Sequence, residues 1–396
     1  MTSDGLKRIV WAESNMPTMQ LISSRLATAG RLAGYRVGIA IHITSETAAL
    51  ARAIQHAGAK EVAVCSSNPS TSNTSVVEGL RESGIVVFNR SASSMAEHEA
   101  NFDAMLKYDP HFIIDDGAEI ITRINSSMLD GESKSILGAL EETTSGITRI
   151  GESIRGGDFR FPIVNVNHAR TKHFFDNHYG TGQSIFDAIF RTGNRLIAGS
   201  RVTVLGYGKC GSGIAKVARG LGANVTVFDP DPISALSAHY DGNFIASSAP
   251  EAAQGANIII SAASQDKSVC KAVFEQAADG VLVVNSGHFR EEIEMSYLED
   301  FGSPVESLRS GVSRFLVGGK VVSVLADGNV ANLAEAEGNP ATLMDLSFSA
   351  QLSGLAWIAQ NYSALPHALH SFPEELDSSI ARDKLVCEGV WKDSGR

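Results

Sequence analysis

Val202-Thr203-Val204-Leu205-Gly206-Tyr207-Gly208-Lys209-Cys210-Gly211 runs from a short β-branched stretch straight into a glycine turn, and its reading decides the fold. The first four residues form a buried-strand pattern, G-x-G-x-x-G is the turn after it, and Ile214–Leu221 continues as a helix. Gly206 permits the tight turn, Gly208 lets the backbone approach a pyrophosphate, and Gly211 allows close packing of helix on strand. The helix N-terminus then presents free N–H groups to phosphates. A second strand, Asn224–Phe228, ends at Asp229, 23 positions after Gly206. A carboxylate there accepts hydrogen bonds from a ribose diol and repels a 2′-phosphate, so NAD is expected over NADP. The plainer alternative is a glycine-bearing turn in a sheet that binds nothing.

Outward from this motif the alternation of strand and helix continues. Asn257–Ile260 and Val281–Val284 extend the same series, and an earlier one precedes it: Tyr35–Ile43, Glu61–Val64 and Ile85–Phe88 as strands, with Thr47–Ala57 and Val76–Ser83 as helices between. That order predicts parallel sheets. Phe112-Ile113-Ile114 closes the earlier series and runs into Asp115-Asp116, and ligands of open α/β sheets bind at the carboxyl ends of strands. The segment Asn165–Ala188, rich in His, Asn, Asp and Gly, reads as a functional hinge or site.

With 396 residues the chain exceeds the roughly 250–300 at which one core usually stops growing, so two domains are expected. A net charge of −11 opposes the basic footprint that nucleic acid requires. The sequence has no run of about 18 apolar residues and no signal-peptide pattern at its start, so we expect a cytoplasmic protein with no membrane partner. Its four cysteines are widely spaced, with no pair at metal-ligand spacing, and read as reduced thiols.

Further segments recur in a fixed order: His42-Ile43-Thr44-Ser45-Glu46-Thr47, Asp115-Asp116-Gly117, Glu141-Glu142-Thr143-Thr144-Ser145-Gly146 and Asn165-Val166-Asn167. Thr171-Lys172, Phe175-Asp176-Asn177-x-Tyr179-Gly180, Asn285-x-Gly287-His288-Phe289 and Asn332-Leu333 complete the set. Together they resemble the S-adenosylhomocysteine hydrolase family, from near residue 5 to about residue 385. The resemblance implies two doubly wound, Rossmann-like α/β domains. A substrate-binding domain of residues 1–177 and 338–396 would receive an inserted NAD-binding domain of residues 178–337. It also implies a homo-oligomer, dimer or tetramer, and a small-molecule nucleoside thioether as substrate.

By the same resemblance, bound NAD oxidises the nucleoside 3′-hydroxyl, the ketone acidifies the 4′ hydrogen, and its loss expels the 5′-thiol before water adds and the cofactor is restored. Lys172 with Asp176 would serve as base, Glu142 would grip the ribose hydroxyls, and Asn167 and Asn177 would lie between substrate and nicotinamide. Asp116 and His42 would protonate the leaving thiol and activate water, and His288 would sit near the reacting ribose. Thr44, Glu46, Thr47, Ser67, Glu337, Asn339 and Phe348 join Asn167 as substrate-facing candidates. The cofactor candidates are Thr143, Thr144, Ser145, Gly206, Tyr207, Gly208, Lys209, Cys210, Gly211, Asp229, Asn285, Gly287 and Asn332. Singly, each has a plainer reading: Lys172 and Asp176 as a surface ion pair, Glu141-Glu142 as a solvated helix start, His42 as a core histidine, Asp116 as a turn residue. His168, His173 and His178 lack zinc-type spacing, so no metal is expected, and Glu291-Glu292-x-Glu294 reads as a solvated helical face.

Departures cluster at the base end of the pocket. Where the family carries a Met and then Gly-His-Pro, this chain has Glu337-Gly338-Asn339-Pro340. That change alters the hydrogen-bond edge offered to the base, although Thr44 and Glu46 still suit an exocyclic amine. A family cysteine is Thr181, paired threonines are Ala262 and Ala263, and a pocket cysteine is Ser67. Nothing beyond Val390 matches the family's C-terminal tail, whose lysine and tyrosine reach a neighbouring subunit's cofactor, so looser NAD binding or a different assembly is expected. The leading reading is hydrolysis of S-adenosyl-L-homocysteine. The alternatives are the same 3′-keto chemistry on another 5′-substituted nucleoside, or a non-catalytic NAD-binding regulator.

Overall fold

The computed structural model describes residues 3–68, 71–89, 95–125, 135–153, 159–287 and 289–392. The chain divides into two compact units, Met1–Phe175 with Ala341–Arg396, and Asp176–Pro340. The first unit contains β1 (Arg36–Ala40), β2 (Glu61–Cys65), β3 (Val86–Phe88), β4 (Phe112–Asp115), β5 (Gly138–Glu141) and β6 (Ile163–Asn165). The second contains β7 (Arg201–Leu205), β8 (Asn224–Phe228), β9 (Phe244–Ile245), β10 (Ile258–Ser261), β11 (Val281–Asn285), β12 (Ser303–Val305), β13 (Val312–Val317) and β14 (Lys320–Leu325). The chain then returns to the first unit, where β15 (Leu369–Ser371) pairs with β6.

Among the described residues the first sheet runs β3-β2-β1-β4-β5-β6-β15, parallel throughout. The order reverses between β1 and β4, the doubly wound arrangement whose crevice opens at that switch point. Side chains along each strand divide between two cores. Val37, Ile39, Val62, Val64, Phe112 and Ile114 face one, whereas Ala40, Ala63, Cys65 and Ile113 face the other. Helices covering both faces explain why these strands are apolar almost without interruption.

The second sheet repeats the plan as β9-β8-β7-β10-β11-β14, with its switch point between β7 and β10. It is mixed rather than purely parallel, because β13 folds back antiparallel on β14 and β12 on β13. The return is made by Gly318 and Gly319, at φ +57° and +76°. Two consecutive positive φ values suit a tight hairpin turn, and the Gly-Gly pair was its signal in the sequence.

Helix Ala341–Asn361 brings the chain back into the first unit and is apolar on nearly all sides, as a buried helix must be. Its charged exception inside the core is Asp345, which is fully buried. Helix Pro17–Ala29 has no side-chain cap of its own, and Asp345 provides one by accepting from the Thr18 and Met19 N–H groups at 3.1 and 2.8 Å. Lys384 neutralises the same carboxylate at 3.1 Å. One acid thus ties the N-terminal, returning and C-terminal helices together. Asp345→Ala should cost about 3–5 kcal/mol, the usual loss when one partner of a buried pair is removed, read as a lower urea midpoint at an unchanged slope.

Candidate functional site

The first unit's candidates gather at the carboxyl ends of its central strands. Asp115 and Glu141 are register partners on β4 and β5, both fully buried. Each carboxylate is used by the backbone. Asp115 accepts from the N–H groups of Asp116, Ile120 and Ile121, at 3.0, 2.9 and 2.8 Å. Glu141 accepts from the N–H groups of Gly117, Ala118 and Thr143 and from the Thr143 hydroxyl, at 3.1, 2.9, 2.9 and 2.9 Å. Burial pushes Asp115 up to about 7 against the pull of those N–H groups, helped by the charges of Glu119 and Asp116. Burial first, then the charges of Asp115 and Asp116, lift Glu141 well above the carboxylate range.

Side chains alternate along a strand, so Asp116 and Glu142 depart in the opposite sense from this pair. Asp116 meets His42, which leaves β1, with Nε2 to Oδ2 at 3.2 Å. Ser67, from the loop after β2, donates to the same oxygen at 3.2 Å. The other ring nitrogen of His42 lies 2.6 Å from the Thr71 hydroxyl. That hydroxyl also reaches the Asn68 carbonyl at 2.8 Å. With its single proton on Asn68, both His42 nitrogens donate; turned toward His42, it leaves the ring neutral. The pair can therefore hold or release a proton without moving. Thr44 caps the helix Ser45–His56, Glu46 is buried in its first turn, and Thr47 donates to the His42 carbonyl at 2.6 Å.

Glu142 anchors a second group. Lys172 is buried, and its Nζ lies 3.9 Å from Glu142 and donates to Asn167 at 3.4 Å. Asn167 in turn donates to Thr144 at 3.0 Å. Ser145 donates to Thr143 at 3.2 Å, so the three residues at the start of helix Thr144–Ser153 belong to the first unit. Two participants escaped the sequence reading. Gln351 donates to Glu142 from helix Ala341–Asn361, and its amide is fully buried there. Asp377 accepts the Arg170 and Thr171 N–H groups at 2.7 and 3.0 Å, fixing the one-turn helix Arg170–His173 that carries Lys172. Phe348 stands in the unit's apolar core.

In the second unit the glycine turn follows β7 at the switch point. Gly206, at φ +95°, approaches the Ala262 backbone so closely that a Cβ would lie 2.5 Å from its carbonyl oxygen. A Cβ on Gly211 would lie 1.9 Å from the Gly206 oxygen. Gly208 differs: a Cβ there would meet nothing within 4 Å, and no side chain caps the helix Lys209–Gly220 that starts beside it. Open space before uncapped N–H groups suits a dinucleotide pyrophosphate. Asp229 accepts from the N–H groups of Tyr207 and Asp231 at 2.6 and 2.8 Å. The Tyr207 hydroxyl donates to Asp241 at 2.8 Å, and burial raises its pKa. Asn332 also fits a cofactor, because its buried Oδ1 has no hydrogen-bond partner among the described residues.

Other candidates of this unit sit nearby in sequence but do different work. Asn177 donates to the Cys210 sulfur at 3.4 Å. Asn285 accepts from Gly287 and donates to the Phe289 and Gly328 carbonyls, at 2.8, 2.8 and 2.9 Å, so its amide shapes the loop. His288 lies outside the described residues. Glu337 is exposed and 3.7 Å from Arg191, whereas Asn339 bonds Asp176 and Ser184. The expected solvated face fails at Glu292, which is fully buried and accepts from the Ser261 hydroxyl at 2.6 Å. Its carboxylate occupies the space a Cβ on Gly287 would need.

The pattern of the S-adenosyl-L-homocysteine hydrolase NAD-binding domain matches residues 177–338, and that of S-adenosyl-L-homocysteine hydrolase matches residues 1–134. An adenosylhomocysteinase from Aquifex aeolicus is 38% identical over 392 residues, covering 98% of this chain and 93% of that protein. One from Archaeoglobus fulgidus is 38% identical, with 98% and 95% covered. An S-inosyl-L-homocysteine hydrolase from Methanopyrus kandleri is 37% identical, with 98% and 91% covered. A dipicolinate synthase chain from Bacillus halodurans shares the fold, at a TM-score of 0.51 and 16% identity over 83% of this chain and all of that one.

A carboxyl whose folded pKa lies above its unfolded value binds more protons folded than unfolded between the two, so stability falls as pH rises through that window. With Asp115 at about 7 against about 3.9 unfolded, stability should fall between about pH 4 and pH 7 by up to about 1.4 kcal/mol per pH unit. Asp115→Asn should remove that one proton's share of the slope in urea titrations run across the window. An identical slope in the variant would mean that Asp115 ionises normally.

Proposed function

This chain belongs to the S-adenosyl-L-homocysteine hydrolase family, and from that premise we propose that it catalyses the reversible, NAD-dependent hydrolysis of S-adenosyl-L-homocysteine to adenosine and homocysteine. The observation that carries the reading is the buried Lys172 amine held between Glu142 and Asn167, in a chain that also has a complete dinucleotide turn. When bound, NAD would supply a reversible hydride acceptor for the nucleoside C3′, with the 3′-hydroxyl proton passing to the Lys172 and Asp176 base, and the return of both at the end would leave no net redox change.

The remaining chemistry is proton transfer by the chain. The first unit is the substrate-binding domain, where Glu142 holds the ribose hydroxyls and Asn167 orients Lys172. With the 3′ position a ketone, the 4′ hydrogen is acidic, and Lys172 with Asp176 takes it. The electron pair left at C4′ expels the 5′ sulfur, which leaves protonated by the His42–Asp116 pair. The same pair then removes a proton from the water that adds at C5′, and Lys172 returns the proton to C4′. Thr44, Glu46 and Thr47 offer the base its hydrogen-bond edge. In the second unit, the NAD-binding domain, Gly206, Gly208, Gly211 and Asp229 hold the dinucleotide, and Asn332 offers its acceptor to the nicotinamide amide.

The protein acts in the cytoplasm as a dimer or tetramer, with no nucleic-acid or membrane partner. The charge of −11 supports the former exclusion, and among the described residues no helix is long and apolar enough to cross a membrane. Ile233, Leu236 and Tyr240, more than half exposed along one face of helix Pro232–Tyr240, support self-association.

NAD-loaded protein incubated with S-adenosyl-L-homocysteine should release adenosine and free homocysteine thiol together, with transient bound-cofactor absorbance near the reduced form. Turnover of the inosyl thioether alone would reassign the base, and silence with every nucleoside thioether would leave a non-catalytic NAD binder. Lys172→Ala should lower kcat by about 10²–10⁴-fold, the usual worth of a general base, in protein whose circular dichroism shows the fold retained despite the lost buried partner of Glu142. Undiminished turnover would remove Lys172 from the scheme.

A further inference from the structure

Asn339 occupies the position where the base edge was expected to change, yet its amide is engaged elsewhere. Within the second unit, Asn332 Nδ2 donates to Ser184 Oγ at 2.9 Å. The Ser184 hydroxyl donates to Asn339 Oδ1 at 2.9 Å, its alternative acceptor, the Thr181 carbonyl, being 3.5 Å away. Asn339 Nδ2 then donates to Asp176 Oδ1. Asn332, Ser184 and Asp176 are all buried.

The polarity of this chain is determined by chemistry. An ionised carboxylate accepts only, and a serine hydroxyl has one proton to give. Turning the Asn339 amide over would set its oxygen against the Asp176 carboxylate and leave the Ser184 proton only the Thr181 carbonyl at 3.5 Å. Only one orientation satisfies the whole series. Backbone geometry supports it, since Gly338 at φ +79° donates to the Asn332 carbonyl at 2.9 Å and turns Asn339 back toward the helix Ala331–Ala334.

Resting on the reading that Asp176 takes part in proton transfer, we propose that Asn339 is a positioning residue for Asp176, not a reader of the nucleobase. Asn332 and Ser184 hold the Asn339 amide in the orientation that directs its N–H to that carboxylate. An amide at this position aims the carboxylate by hydrogen bonding and leaves discrimination between bases to groups of the first unit.

The test compares NAD-loaded wild type, Asn339→Leu and Ser184→Ala. Leucine keeps asparagine's heavy-atom count and branching and removes both hydrogen bonds; the serine change cuts the series one step away from Asp176. Three readouts are taken: kcat and KM for S-adenosyl-L-homocysteine, exchange of the 4′ hydrogen of adenosine into deuterated water, and the ratio of kcat/KM for the adenosyl and inosyl thioethers. Asn339→Leu should slow both kcat and 4′ exchange by about 10²-fold, the effect of misplacing a reacting group by about 1 Å, with KM and the adenosyl-to-inosyl ratio near wild type. Ser184→Ala should show the same pattern at about tenfold, one lost hydrogen bond. A changed ratio with unchanged exchange would make Asn339 a base reader and overturn the proposal. Wild-type inactivity would instead count against the proposed function. The crystal structure of Asn339→Leu reads the positioning role even in inert protein: Asp176 should leave its wild-type rotamer, and an unmoved carboxylate overturns the role.

Discussion

Two carboxylates buried side by side at the ends of β4 and β5 set the terms for the first unit. Asp115 and Glu141 are paired in register and fully buried, and burial above all, then neighbouring acids, lifts both carboxyls above the ordinary carboxylate range. What makes the arrangement tenable is the concentration of N–H donors from the loops after both strands. Those loops have little freedom left once their N–H groups converge on the two acids. Because side chains alternate, fixing Asp115 and Glu141 inward also decides where Asp116 and Glu142 emerge.

From those two exits the candidate chemistry separates into two proton-handling groups. Asp116 pairs with His42, whose loop enters a helix capped by Thr44. Glu142 faces Lys172, whose one-turn helix is clamped by Asp377 from the C-terminal helix Glu374–Cys387. The Lys172 helix is thus held by a buried acid outside the proposed chemistry, and the His42 loop by a threonine cap. In the second unit the corresponding constraint is backbone proximity. A Cβ on Gly211 would strike the Gly206 oxygen, and one on Gly213 would lie 1.8 Å from the His178 oxygen. Helix Lys209–Gly220 can lie close to β7 and to the turn Asp176–Gly180 only because these positions have no side chain.

Much of this was legible from residue order. Apolar runs alternating with amphipathic stretches located the central strands β1, β2, β4, β7, β8, β10 and β11, since a strand buried on both faces reads as uninterrupted apolar sequence. The glycine turn carried its own geometry in its spacing. The edge hairpin β13–β14 was less visible, because an added antiparallel edge leaves no mark on the strand-helix alternation. Glu292 was misread because a run of acids looks solvated until Ser261 and the backbone near Gly287 enclose it.

By itself, then, the amino-acid sequence determined the strand-helix alternation and the dinucleotide turn, because these depend on local periodicity and on glycine's freedom, whereas its ordered motifs named the proton-transfer candidates through the family they resemble. Tertiary structure alone decided which buried acids are spent on backbone N–H groups and which meet His42 and Lys172. It also decided that Gln351 and Asp377 from the returning segment hold Glu142 and the Lys172 helix, and that Asn339 is committed to Asp176. Asn339 lies 163 positions from Asp176 and Gln351 lies 209 from Glu142. A hydrogen bond across such a separation has no local signature in sequence. It exists only when the fold has brought donor and acceptor within about 3 Å of each other.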